Sequence, residues 1–208
     1  MEVSEETPAG QQSGIKKILS SETFLAALIT IMTVLTAVTA YQASLAGGES
    51  LTNFFISQGY LTDSSLFYVE QGQELFYDHT AYNEYQLALR RDDQETADYY
   101  LDQLSTWGYE AFERSPDDPF NDAYYNALFA EAQATLDAAD ESYDLAVEFN
   151  VKGDRLGLVT TILAVGLAFV AWASLAPAES RQRALFSLFG FLALVLAIIE
   201  YGRIQLGM

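Results

Sequence analysis

The chain has 208 residues, half of them hydrophobic and none of them cysteine, yet its mean hydropathy is only +0.09. Ten Lys and Arg against 29 Asp and Glu leave a formal charge of −19. Such an acidic excess repels nucleic-acid phosphates and anionic headgroups and argues against a nucleic-acid partner, while the missing cysteines exclude disulfides, thiolate catalysis and cysteine-ligated zinc.

The low mean hydropathy conceals two populations. After a polar tail, residues 1–22, the runs 23–46, 157–178 and 184–199 contain no Asp, Glu, Lys, Arg or His. Uncharged apolar runs of about 20 residues match the hydrocarbon thickness at helical rise. They predict transmembrane helices over 23–46, 157–178 and 184–203. In the first, Thr30, Thr33, Thr36 and Thr39 form a small, weakly polar ridge with Ala26, Ala37 and Ala40, and Thr160, Ala164 and Ala168 repeat every four in the second. Ridges of this kind let membrane helices pack closely. The first run is longer than a signal-peptide core, which favours an uncleaved anchor.

Residues 47–156 hold 23 of the 29 acidic residues, only five basic ones and 11 of the 13 tyrosines. The pattern is helical throughout. Tyr68, Leu75, His79, Tyr82 and Leu89 step by seven, four, three and seven, the spacing of one apolar helix face. Asp92, with Glu95 three residues on, predicts the start of a new helix through TADYYLDQLSTWGYEAFER, with Gly108 as a kink. Pro116 and Pro119 lack backbone donors and restrict their predecessors, so that helix should stop near Arg114. Asp118 and Pro119 then suit the N-cap and first position of the next. From Asn121 to Lys152 there is neither Pro nor Gly, and Tyr125, Leu128, Ala132, Leu136, Ala139, Tyr143, Ala146 and Asn150 make an alanine-rich seam. Two antiparallel arms, reversed at RSPDDPFND, would form a stalk about 45 Å long at 1.5 Å per residue. The expected fold is therefore all-α, with three transmembrane helices and a long antiparallel helical stalk, 47–156, inserted between the first and second.

Orientation follows from basic residues near the membrane ends. Lys16, Lys17, Arg181 and Arg183 must share one side, against Lys152, Arg155 and Arg203 on the other. The four-to-three excess places the amino terminus in the cytoplasm and residues 47–156 outside it. Glu200 is expected to form an interfacial ion pair with Arg155, level with it on an antiparallel helix, with Arg203 one turn on.

The segment DYYLDQLSTWGYEAFERSPDDPF, with Ala111-Phe112-Glu113 and Asp118-Pro119-Phe120, resembles a family of uncharacterised bacterial membrane proteins. In these a Tyr-rich helix and an AFE…DPF stretch lie between one amino-terminal and two carboxy-terminal spans. The resemblance implies architecture and carries no activity, cofactor or partner.

No catalytic motif is present: there is no G-x-S-x-G, P-loop or G-x-G-x-x-G, and one histidine leaves few choices for a Ser-His-acid set. His79 lacks the company of ligands that zinc or di-metal bundles require. Glu70, Glu74 and Asp78 recur every four residues and could gather hard cations, although a solvated helix face explains them as well. Neither an enzyme nor a bound cofactor or metal is expected. Tyrosines are favoured at protein interfaces, and Tyr82, Tyr85, Tyr99, Tyr100, Tyr124 and Tyr125 are the candidate partner-binding residues. The reading is a multi-pass cell-membrane protein among lipids, an assembly or accessory subunit that self-associates or joins a membrane complex through its acidic stalk. The alternative is a homo-oligomeric ion-conducting or cation-sensing protein.

Overall fold

The structure, a computed structural model, describes residues 18–178 and 180–207. Lys16 and Lys17, used above for orientation, lie outside the described residues. The described chain is helical, with α1 Glu22–Arg90, α2 Gln94–Leu101, α3 Thr106–Arg114, α4 Asp122–Leu128, α5 Ala130–Leu175 and α6 Arg181–Gln205. Helices α1, α5 and α6 are each long and apolar enough to cross a membrane.

The chain divides into two compact units, one formed by residues up to 50 and from 148 onward, the other by residues 51–147. In the first, Leu25, Leu28 and Met32 of α1, Val159, Leu163 and Val170 of α5, and Leu194 and Ala197 of α6 form the buried core. In lipid the hydrophobic effect does not hold helices together, so close fit and interhelical hydrogen bonds must. Both are present. The Thr39 and Thr160 hydroxyls meet at 2.9 Å between α1 and α5. A Cβ on Gly190 would collide with Val170 and lie 3.3 Å from the Gly166 carbonyl, so the backbones of α5 and α6 cross in near contact there.

The packing thus uses the Thr39 and Thr160 end of the expected ridge. Thr30, Thr33, Ala164 and Ala168 lie at exposed positions and Thr36 is half-buried. Thr30 and Thr36 donate to the carbonyls of Ala26 and Met32 in their own helix.

In the second unit α1 and α5 pair antiparallel. Phe54 meets Tyr143 edge-on at 5.5 Å, Ser64 donates to the Ala132 carbonyl at 2.9 Å, and Tyr68 stacks on Phe129 at 5.6 Å. The alanine seam is buried at Ala132, Ala139 and Ala146, and opposite it lie Ser57 and Ser64 rather than large apolar residues. Small side chains on both helices favour the short end of the 8–10 Å range of interaxial distances.

Local chemistry shifts the predicted boundaries. Asp92 takes a left-handed conformation (φ 55°) as α1 ends, so Asp93 becomes the N-cap of α2. It accepts from the Thr96 backbone N–H at 3.1 Å and the Thr96 hydroxyl at 2.7 Å, bonds that hold its carboxyl below the usual carboxylate range. The helix expected through Gly108 is two helices, because Ser105 caps α3 by accepting from the Gly108 N–H at 3.0 Å. Helix α3 ends at Arg114, as the prolines dictate. Asn121 rather than Asp118 caps α4, and a break at Phe129 separates α4 from α5.

Candidate partner-binding site

Asp78 lies on the buried side of α1 with none of its surface exposed. Without partners a carboxyl buried there would cost several kcal/mol, so its hydrogen bonds decide whether the position can be held. It has three. The Ser105 backbone N–H reaches Oδ1 at 2.6 Å, the Ser105 hydroxyl reaches Oδ2 at 2.6 Å, and the buried Tyr124 hydroxyl donates to Oδ2 at 2.8 Å. One carboxylate therefore ties α1 to the start of α3 and to α4. Burial, and then the bond to Asp78, push the Tyr124 phenol above its ordinary value. Gly108 faces the same carboxylate, and a Cβ there would stand 2.5 Å from the Asp78 carboxyl carbon.

Around this anchor the aromatic residues close a second core. Phe120 lies tilted against His79 with centroids 4.0 Å apart and meets Tyr82 at 5.5 Å, while Phe112 meets Tyr85 edge-on at 5.3 Å. The Tyr82 hydroxyl donates to the Pro116 carbonyl at 2.8 Å and accepts from the Gln86 amide at 3.1 Å. Burial raises the Tyr82 phenol, with the Gln86 bond opposing it. Ala111, Phe112, Pro119 and Phe120, the residues behind the AFE…DPF resemblance, thus pack the turn, with Ala111 and Pro119 buried and the two phenylalanines half-buried.

The six candidate tyrosines separate accordingly. Tyr124 is buried and cannot meet a partner, because its hydroxyl is the third donor to Asp78. Tyr82 and Tyr85 pack on Phe112, and Tyr125 lies half-buried beside Tyr124, its hydroxyl 3.4 Å from His79 Nε2. Tyr99 is 59% exposed and sits edge-to-face on half-buried Tyr100 at 5.3 Å. These two line an open pocket of about 420 Å³ whose other walls include Glu74, Tyr77 and Gln103, with Asp78 at its base. Tyr77, 65% exposed, is a wall tyrosine that falls outside the six candidates.

The pocket combines ring faces with a carboxylate, the chemistry that attracts a cationic group. Glu70 and Glu74 are exposed while Asp78 turns inward, so the three do not converge. Among the described residues no group of three or more His, Asp or Glu side chains is arranged to hold a metal ion. Glu200 pairs with Arg203 at 2.8 Å, one turn on in α6, and Arg155 is exposed on α5.

No protein-family model matches the chain, and neither a curated protein nor a solved structure matches it significantly.

Proposed function

We propose that this protein is a membrane-anchored interaction subunit, whose acidic helical unit, residues 51–147, is displayed outside the cytoplasm as a stalk and receives a basic partner. The observation that carries the reading is the Tyr77, Tyr99, Tyr100 and Glu74 pocket, set in a unit with twenty acidic and three basic residues. Exposed aromatic rings supply contact area at low entropic cost, and a dense negative field speeds encounter with a cationic surface. The apolar runs of α1, α5 and α6 supply the anchor.

The test is affinity purification of the tagged full chain in mild detergent, beside Tyr99→Ala/Tyr100→Ala. A partner retained stoichiometrically by the wild type, released by salt and lost from the variant supports the reading. Equal retention by both overturns it.

A further inference from the structure

The outer face of α1 in the second unit is uncharged where a solvated helix should carry its charge. Ser57, Ser64, Gln71 and Asp78, seven apart, mark the face turned inward: three are buried and Gln71 is half-buried. Taking these as position a of a heptad, positions c and f, and b at Leu51, Gln58 and Ser65, point away from the packed seam, whereas His79, also at b, packs on Phe120. From Leu51 to Asn83 no b, c or f position is Asp, Glu, Lys or Arg. Instead Phe55 and Phe76 are 66% and 67% exposed, and Leu51, Leu66 and Val69 are each more than half exposed. The four acids of this stretch, Asp63, Glu70, Glu74 and Asp78, all lie elsewhere on the wheel.

The c and f positions run 55, 59, 62, 66, 69, 73, 76 and 80, alternating steps of four and three. That is the seam of a second coiled coil, extending about 38 Å at helical rise. Its borders differ from each other. One carries Asp63 and Glu70, the other Gln58, Ser65 and Gly72, all uncharged. Two parallel copies would set Gln58 against Asp63 and Ser65 against Glu70, a hydrogen-bond donor opposite each carboxylate. Antiparallel copies would set acid against acid. A basic foreign helix would find a carboxylate row on one border alone. Copies inserted in one direction in one membrane have parallel α1 helices, so the permitted arrangement is also the complementary one.

We infer that two copies of this chain associate in parallel along the outer face of α1, with Phe55, Thr62, Leu66, Val69 and Phe76 in the seam. This interface borders the tyrosine pocket at Tyr77 and Thr80 and does not depend on its reading. Net charges of −17 on each unit, from twenty acidic and three basic residues, oppose association. Salt screens that repulsion, so the dimer tightens as ionic strength rises.

The natural absence of cysteine makes single-cysteine cross-linking direct. Thr62→Cys, Val69→Cys and, as an exposed control off the seam, Glu74→Cys are oxidised in the purified full-length protein in mild detergent. Thr62→Cys and Val69→Cys are expected to yield at least ten-fold more disulfide-linked dimer than Glu74→Cys. Light scattering of the wild type should give twice the mass of one chain, with the dimer fraction growing between low and high salt. Val69→Glu/Phe76→Glu should give one chain mass with unchanged helical circular dichroism. A single-chain mass for the wild type at both salt concentrations, or equal cross-linking at all three positions, overturns the inference.

Discussion

Ser105 meets Asp78 twice, its backbone N–H on one carboxylate oxygen and its hydroxyl on the other, each at 2.6 Å. The same hydroxyl oxygen accepts from the Gly108 N–H, so one serine both starts α3 and fastens it to α1. The walls of the tyrosine pocket depend on that joint, since Asp78 and Ser105 line it together with Tyr99 and Tyr100.

Gly108→Ala tests the joint by volume. The added methyl would meet a carboxylate that three hydrogen bonds prevent from yielding. Overpacking of this kind costs about 1–3 kcal/mol. Thermal unfolding followed by circular dichroism should show a lowered midpoint, whereas Gly72→Ala, with open space around its Cβ, should not lower it.

Tyr124→Phe tests it by charge. Removing one donor from a buried carboxylate should destabilise the unit by roughly 1.5–3 kcal/mol, the range for hydrogen bonds to charged groups. Chemical denaturation of wild type and variant measures it.

The pH dependence has a definite sign at each end. The Tyr124 pKa is raised on folding, so its contribution is complete below the unfolded value of about 10 and is lost as pH rises towards the folded one. Asp93 is lowered on folding, so its contribution is present above the unfolded carboxylate value and is lost as pH falls through the folded one. Unfolding midpoints against pH should decline on the alkaline side, with that decline reduced in Tyr124→Phe. They should decline on the acid side less steeply in Asp93→Asn.

Much of this architecture is written in short-range pattern. The charge-free runs fix the three apolar helices, the prolines at 116 and 119 fix the end of α3 at Arg114, and the alanine seam of α5 fixes its buried side. Asp78 was not legible in the same way. A carboxylate in a helical series with Glu70 and Glu74 reads as solvated, and its donors lie 27 and 46 residues along the chain. Tyr124 and Tyr99 are equally tyrosines in sequence. Only the position of Asp78 separates the ring that holds the fold from the ring that faces solvent. The small side chains of the span crossing behave similarly: several Thr, Ala and Gly positions could form it, and contact across three helices selects Gly166 and Gly190.

Gly190→Leu should disrupt that crossing, because Val170 and the Gly166 backbone leave no room for a larger side chain. Detergent-solubilised protein should lose thermal stability, with a lower temperature of aggregation. Gly202→Leu, on the same helix with nothing near its Cβ, should behave as wild type.

The most direct test of a membrane-anchored subunit that receives a basic partner is native mass spectrometry of the tagged wild-type chain, purified from its own membranes at low salt. The account predicts a second, basic protein at fixed stoichiometry, dissociating as salt is raised and absent from Tyr99→Ala/Tyr100→Ala. Particles containing only this chain at every salt concentration would contradict it.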